Sequence, residues 1–345
     1  MKLLIIGGTG IISAAVSRRA LELGWELTLL NRGSRSPESW RAPDGPGILK
    51  EIRCDISDEA ATAAKITNLE FDAVADFIAF KPEDVQKDYR LFKGKTAQYI
   101  FISSASAYQK PLANYIITEG SPLANPCWEY SRLKIACEDF LLKMYREEAF
   151  PVTIVRPSHT YDERRVPLGV HGAKGFWQVI KRIIDGKPVI IHGDGTSLWT
   201  MTSSADFARA FTGLVGNIHA IGESVQITSD ETLCWNQIYK TIADALGKPL
   251  HAVHVSSEFL AKAAPHYNYT GGLLGDKAVS VVFDNSKLKK LVPGFCATVR
   301  FDQGVRETLA YILAHPELQV EDAEFDAFCD KVIAARDKAL KEILA

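Results

Sequence analysis

Leu3-Leu4-Ile5-Ile6-Gly7-Gly8-Thr9-Gly10-Ile11-Ile12-Ser13 decides the reading of this chain. It is a hydrophobic strand that turns through glycines straight into a helix, and strand, Gly turn and helix in that order make a dinucleotide pocket. Gly7 takes the tight turn without a Cβ penalty, and Gly10 lets backbone approach a pyrophosphate. The helix that begins near Ile11 offers unpaired N–H groups and a positive dipole end to the anion. The third glycine of the usual fingerprint is missing. Ser13 stands there with Ala14 and Ala15 behind it, small enough for fairly close helix-to-strand packing.

At 345 residues with 47% hydrophobic side chains, the chain can bury one large core plus a smaller appended lobe. Forty basic and forty-two acidic residues leave a formal charge of −2. That balance gives no electrostatic footprint for nucleic acid or an anionic membrane, so neither is expected as a partner. Cys54, Cys127, Cys137, Cys234, Cys296 and Cys329 show no CxxC and no metal-ligand spacing. Reduced, packed thiols, a cytoplasmic location and no metal are the expectation. The apolar run at the N-terminus is too short for a signal peptide or a membrane span.

Onward from the turn, strand-like and helix-like periods alternate. A first helix over about 14–23 ends at Gly24; strands follow at 26–30, 51–54, 72–78, 97–102 and 152–156. An amphipathic segment covers 82–92 and a long helix 128–147. Regular alternation means parallel βαβ units, hence an α/β fold: a doubly wound parallel Rossmann sheet with a smaller C-terminal substrate lobe. The pattern breaks at Pro157 and returns briefly after Asp206. The dinucleotide-binding domain is therefore expected over 1–160 plus about 205–230, and the substrate lobe over about 161–204 and 231–315. Residues 316–345 read as a helical C-terminal tail with solvated charge.

Tyr130-Ser131-Arg132-Leu133-Lys134 is the second constellation. Spacing of i to i+4 puts phenol and ammonium on one helical face, where the cation favours the phenolate and makes the oxygen a usable proton acceptor. Tyr89 and Lys93 repeat the spacing but lack a preceding serine strand, so they read as a surface pair. Tyr130 is selected by Tyr99-Ile100-Phe101-Ile102-Ser103-Ser104 upstream, because parallel strands deliver their C-terminal ends to the cofactor crevice. A serine hydroxyl there can hydrogen-bond the substrate oxygen that Tyr130 deprotonates.

On these motifs the chain, over about residues 1–240, resembles the short-chain dehydrogenase/reductase superfamily, specifically its extended branch of NAD-dependent epimerase/dehydratase-like proteins. Further segments carry the resemblance: Cys54-Asp55-Ile56, Phe101 to Tyr108, Arg156-Pro157-Ser158-His159-Thr160-Tyr161, and His192-Gly193-Asp194-Gly195 followed by Asp206. The resemblance implies that Ser104 is the catalytic serine, with Tyr130 and Lys134, and that Ser103 is backbone support. It implies Asp55 as an adenine contact, with Ile56, Phe77, Ile78 and Pro157 also on the cofactor side. Ser106, His159, Arg164 and Trp199 fall on the substrate side, and a homodimer through the helices flanking Tyr130 is implied too. The departures matter. Phe77-Ile78-Ala79-Phe80 replaces the usual His-Leu-Ala-Ala, Trp199 stands where many nucleotide-sugar enzymes have a phosphate-binding Arg, and His159 stands where Asn is common. Ala105 after Ser104, in place of an Asp-Glu pair, argues against sugar 4,6-dehydration. Residues 76–85 are similar to the chloroplast stem-loop-binding proteins, which brings RNA into consideration.

Cofactor choice rests on Leu30-Asn31-Arg32-Gly33, with Arg35 behind. No carboxylate stands ready for the ribose hydroxyls of NAD and two arginines could take a 2′-phosphate, so the sequence leans to NADP. If Arg32 stacks on adenine instead, either NADP or NAD binds. Two functions follow. One is NAD(P)-dependent hydride transfer at a secondary alcohol or ketone of a small molecule, with epimerisation of a sugar or sugar nucleotide as one version. The other is a non-catalytic dinucleotide-binding protein that binds RNA or a protein partner.

Overall fold

A computed structural model describes residues 1–33 and 45–345; Arg35 lies outside the described residues. The chain forms two compact units. The first comprises Met1–Thr160, Thr202–Asp230 and Phe283–Thr298. Its centre is a seven-stranded parallel sheet of β1 (Lys2–Ile6), β2 (Glu26–Asn31), β3 (Ile48–Arg53), β4 (Ala73–Asp76), β5 (Tyr99–Ile102), β6 (Val152–Pro157) and β7 (Ser224–Ile227), in the order β7-β6-β5-β4-β1-β2-β3. Every pairing is parallel.

The apolar run of β1 explains the layering. Successive side chains of a strand point to opposite faces. Leu3 and Ile5 therefore enter a core with Val16, Ala20, Phe207 and Phe211. Leu4 and Ile6 enter another with Ile66, Phe92 and Leu141. All four β1 residues are fully buried, each worth roughly 1.5–3 kcal/mol against exposure. Helices α1 (Ile11–Glu22), α2 (Glu59–Ile66), α3 (Pro82–Phe92) and α4 (Glu129–Glu148) supply much of the cover, with the helix Ser204–Leu214 against α1. The strand order reverses between β1 and β4, so the loops part at the C-terminal ends of those strands.

The structure moves several boundaries. Helix α1 starts at Ile11 rather than 14, because the Ser13 hydroxyl accepts the Gly10 N–H and caps it. Strand β4 stops at Asp76, short of 78, because the Asp76 carboxylate takes the next N–H groups. Helix α2, which the apolar pattern did not mark, is opened by Asp58 accepting from Ala61 N at 2.9 Å. Residues 283–298, expected in the second lobe, belong to the first unit. Leu288 of the short helix Ser286–Leu291 is fully buried in the core with Phe211, and Asn285 Nδ2 donates to Thr228 O at 3.1 Å.

The second unit comprises Tyr161–Met201, Glu231–Val282 and Val299–Ala345. Here Val189–His192 pairs in parallel with Ala252–Val255, and the helices Trp235–Ala245 and Phe301–Ala314 pack together. The C-terminal helix, Ala323–Leu344, is not simply a solvated tail. It buries Phe325, Cys329 and Val332 in its first half. Arg182, 1% exposed on the helix Trp177–Ile184, donates to Asp326 Oδ1 at 2.6 Å and to Asp330 Oδ1 at 2.7 Å. No helix among the described residues is long and apolar enough to cross a membrane.

Candidate active site

The glycine turn is held by its own backbone and by the serine that replaces the third glycine. Gly7, at φ +78°, donates to Leu30 O at 3.2 Å, and a Cβ there would lie 2.4 Å from Ile78 Cγ2. Gly10 N donates to Ser13 Oγ at 2.8 Å, and that hydroxyl donates to Gly7 O at 2.7 Å. Ser13 is thus a strap across the turn.

Above the turn opens a cleft of about 610 Å³, lined by Gly7, Gly10, Ile11, Asn31, Arg32, Asp55, Ile56, Phe77 and Ile78 of the residues assigned to a cofactor. The volume falls within the range of small-molecule sites, roughly 300–1,000 Å³. Pro157 is not in this lining; it closes β6 opposite Ile227 of β7. Thr9, Cys54 and Phe80 line the cleft without having been singled out, although each sits beside a residue that was. Asn31 Oδ1 accepts from Gly8 N at 3.1 Å, which leaves Nδ2, buried and with no hydrogen-bond partner among the described residues, as the donor. A donor there suits a ribose hydroxyl or a phosphate oxygen. Asp55 takes Ser57 N at 2.9 Å and Ser57 Oγ at 2.8 Å, and these bonds hold its carboxyl below the usual range. The residues present therefore fit a dinucleotide.

The serine strand and the Tyr/Lys helix meet in one place. Ser104 caps the turn Ala105–Ala107. The Ser104 and Ser106 hydroxyls lie 2.9 Å apart, and Ser131 Oγ of α4 donates to Ser106 Oγ at 2.8 Å. Asn125 Nδ2 adds a bond to Ser106 O at 2.8 Å. Tyr130 stands between Trp128, at 5.0 Å between ring centroids, and Phe80 of the cleft lining, at 6.3 Å.

Lys134, 2% exposed, donates to Ala79 O at 2.7 Å and to Ile102 O at 2.6 Å. Its Nζ lies 4.8 Å from the ring centroids of Phe80 and Phe101 and 5.7 Å from that of Tyr130. Burial pulls this ammonium down to about 8, against the opposing pull of surrounding acidic groups. Behind the site, Ser103 Oγ donates to Glu138, whose carboxylate is gripped by Arg156 through Nε at 3.0 Å and a terminal nitrogen at 2.5 Å. Ser103 thus serves a buried ion pair and Ser104 faces the hydroxyl chain.

The duplicate motif lies elsewhere on the surface. Lys93 donates to Tyr89 OH at 2.8 Å and to Glu148 at 2.9 Å, both bonds pushing it up to about 12. His159 lies half-buried just past β6. In the second unit, the Arg164 guanidinium is held by its neighbour Asp162, through Nε at 2.8 Å. Trp199, 3% exposed, lies 5.8 Å from Trp235 between ring centroids. His192, pushed down to about 4 by burial, is a neutral core imidazole contacting Lys277 O at 3.1 Å. Among the described residues no group of three or more His, Cys, Asp or Glu could hold a metal ion.

The family model described as the NAD dependent epimerase/dehydratase family matches residues 3–227, from the first strand of the sheet to its last. The chain belongs to this family. Among curated relatives it is 24% identical over 295 residues to the 2'-dehydrokanamycin reductase of Streptomyces kanamyceticus, covering 86% of this chain and 80% of that one. It is 25% identical over 256 residues to the chloroplast stem-loop binding protein of 41 kDa b of Arabidopsis thaliana, covering 72% of this chain and 64% of that one. Among solved structures, the dTDP-glucose 4,6-dehydratase of Bacillus anthracis in complex with NAD superposes with a TM-score of 0.70 at 17% identity, covering 92% of this chain and 98% of that one. That likeness carries the α/β Rossmann-like fold of the family. The match confirms the resemblance drawn from the motifs.

Proposed function

We propose that this chain is an NAD(P)-dependent oxidoreductase or epimerase acting at a secondary alcohol or ketone, with NADP(H) as the preferred cofactor. The observation that carries the reading is the buried Lys134, anchored by two carbonyls beside the Tyr130 ring, with the Ser104–Ser106–Ser131 hydroxyls joined to the same helix. The Tyr130 hydroxyl exchanges the proton at the substrate oxygen. Ser104 hydrogen-bonds that oxygen, and the Lys134 ammonium favours the phenolate. A bound nicotinamide dinucleotide supplies or accepts the hydride. Gly7, Gly10, Ile11, Asn31, Arg32, Asp55, Ile56, Phe77, Ile78 and Pro157 are assigned to that cofactor, Arg32 to a 2′-phosphate.

Ser106, His159, Arg164 and Trp199 are assigned to the substrate. Trp199 in place of an arginine, and an Arg164 already neutralised by Asp162, favour a sugar-like ketone or alcohol over a nucleotide sugar. A ketone reduction also matches what the name of the Streptomyces relative describes. The six thiols, none in a disulfide, suit the cytoplasm, and a dimer through the helices flanking Tyr130 completes the reading. The plant relative, named for stem-loop binding, supports a second reading in which the dinucleotide is structural and RNA is the partner.

Calorimetric titration with NADPH and NADH tests the first reading. The wild type is expected to bind NADPH the more tightly, and Arg32→Ala to weaken NADPH by about tenfold while sparing NADH, as loss of a charge-assisted bond requires. Gly10→Asp should oppose both. A folded wild type that binds neither dinucleotide overturns the proposal, and equal losses in Arg32→Ala overturn the NADP preference.

A further inference from the structure

Two carboxyl groups lie beneath the cleft, and the mechanism above uses neither. Asp76 at the end of β4 is 1% exposed, and Asp88 on α3, close enough to feel its charge, is fully buried. Tyr99 OH donates to Asp88 Oδ2 at 2.6 Å. The nearest cation, Lys87 Nζ, stands 3.9 Å from Asp88 Oδ1, too far for a hydrogen bond. Carboxylates near one another in a dry core resist joint ionisation. Burial, followed by the Asp76 charge, pushes Asp88 well above the usual carboxylate range.

Asp76 has a visible task. Asp76 Oδ1 accepts from Ile78 N at 2.5 Å and from Ala79 N at 2.8 Å, which ends β4 and folds the chain into the 77–80 turn. One side of this turn gives Ile78 and Phe80 to the cleft. The other gives the Ala79 carbonyl to Lys134 Nζ at 2.7 Å. We propose that Asp76 is a positioning residue that sets Lys134 and the cofactor-facing wall together through the 77–80 turn. The inference rests on the roles proposed above for Lys134 and the cleft. It also accounts for Asp76-Phe77-Ile78-Ala79-Phe80 as one unit: the acid shapes the turn that the two apolar side chains use. The charged and titratable groups around Lys134 are Asp76, Asp84 on α3, and Tyr130, Cys137 and Glu138 on its own helix; those around Asp88 are Asp76, Tyr99 and Lys87. The Asp76 charge is thus one of those that oppose the effect of burial on Lys134.

The test compares the full-length wild type with Asp76→Asn and Asp88→Asn. Lys134 is followed by NMR titration of biosynthetically ¹³Cε-labelled lysines, assigned with Lys134→Met, and NADPH affinity by fluorescence. Asp76→Asn should lower the Lys134 midpoint by about half a pH unit or more and weaken NADPH by about tenfold. Asp88→Asn, which puts a neutral amide where burial already disfavours the charge, should leave both within about twofold of wild type. In the wild type, infrared spectroscopy at neutral pH should show a protonated carboxyl band that Asp88→Asn removes; this readout does not depend on the Asp76 variant folding. Unchanged Lys134 titration and NADPH affinity in a folded Asp76→Asn, or the absence of that band, overturns the proposal. A wild type that fails to bind NADPH would remove the proposed function, while the infrared band and the Lys134 titration would still judge the carboxyl pair.

Discussion

A lysine that is 2% exposed and spends two hydrogen bonds on backbone carbonyls has been placed for its charge, not for solubility. Tyr130 next to it is where loss of one oxygen should be felt most. Tyr130→Phe is expected to lower kcat by roughly 10² to 10⁴, the usual span of general acid–base catalysis, while dinucleotide affinity stays near wild type. Ser104→Ala should do the same less severely, and Tyr89→Phe should do neither, since its partner Lys93 sits half-exposed and pairs with Glu148. Steady-state kinetics on a ketone panel, with dinucleotide binding measured in parallel, checks this. A Tyr130→Phe protein with wild-type kcat would remove Tyr130 from the proton transfer. At this scale the sequence showed the Tyr130/Lys134 spacing and the serines because spacing along one helix or strand is local. It hid the Asp76–Asp88 pair and the Ser131 hydroxyl bond because each joins residues from different elements, and no period of the chain marks such a meeting.

Helices and strands were legible where apolar periodicity was strong, as in β1 and in α3, whose 82–92 span is the one the pattern gave. Boundaries shifted where a polar side chain competed for backbone, as Ser13 and Asp76 do. The C-terminal helix was legible as a helix, but the burial around two of its charges was not, for a similar reason: they look solvated in sequence, yet Asp326 and Asp330 flank a guanidinium buried on another helix. The two acids are not equivalent. Asp326 is 21% exposed and Asp330 57%. Asp326→Ala should therefore destabilise the protein by about 2–4 kcal/mol, because it strips a buried cation, whereas Asp330→Ala should cost under about 1 kcal/mol. Thermal or urea unfolding of the two variants measures the contrast, and equal losses would contradict it.

For the molecule as a whole, Lys134 supplies a pH signature. Its amine titrates near 8 when folded and near 10.5 when exposed, so the folded state loses the proton first. Stability should rise between about pH 8 and pH 10.5, by about 3 kcal/mol in all, and this gain is lost as pH falls back through about 8. Urea unfolding across that range should show the rise in the wild type and not in Lys134→Met; parallel curves would refute the assignment. The parallel sheet was legible from the alternation of elements. The return of 283–298 to the first unit was not, because a single short helix carrying Leu288 leaves no periodic trace.

The order of the strands also has a consequence during synthesis. Strand β6, Val152-Thr153-Ile154-Val155-Arg156-Pro157, lies between β5 and β7 in the finished sheet, and β7 is translated only after the Tyr161–Met201 segment of the second unit. Translation at about 5–20 residues per second leaves an interval of seconds in which a nascent chain presents β6 as an unpaired edge. The one charge on that strand, Arg156, is drawn inward to Glu138 on the already completed α4 and so does not guard the edge. Crowded ribosomes would bring such edges together, and a chaperone holding the chain until Ser224 to Ile227 emerge would keep them apart.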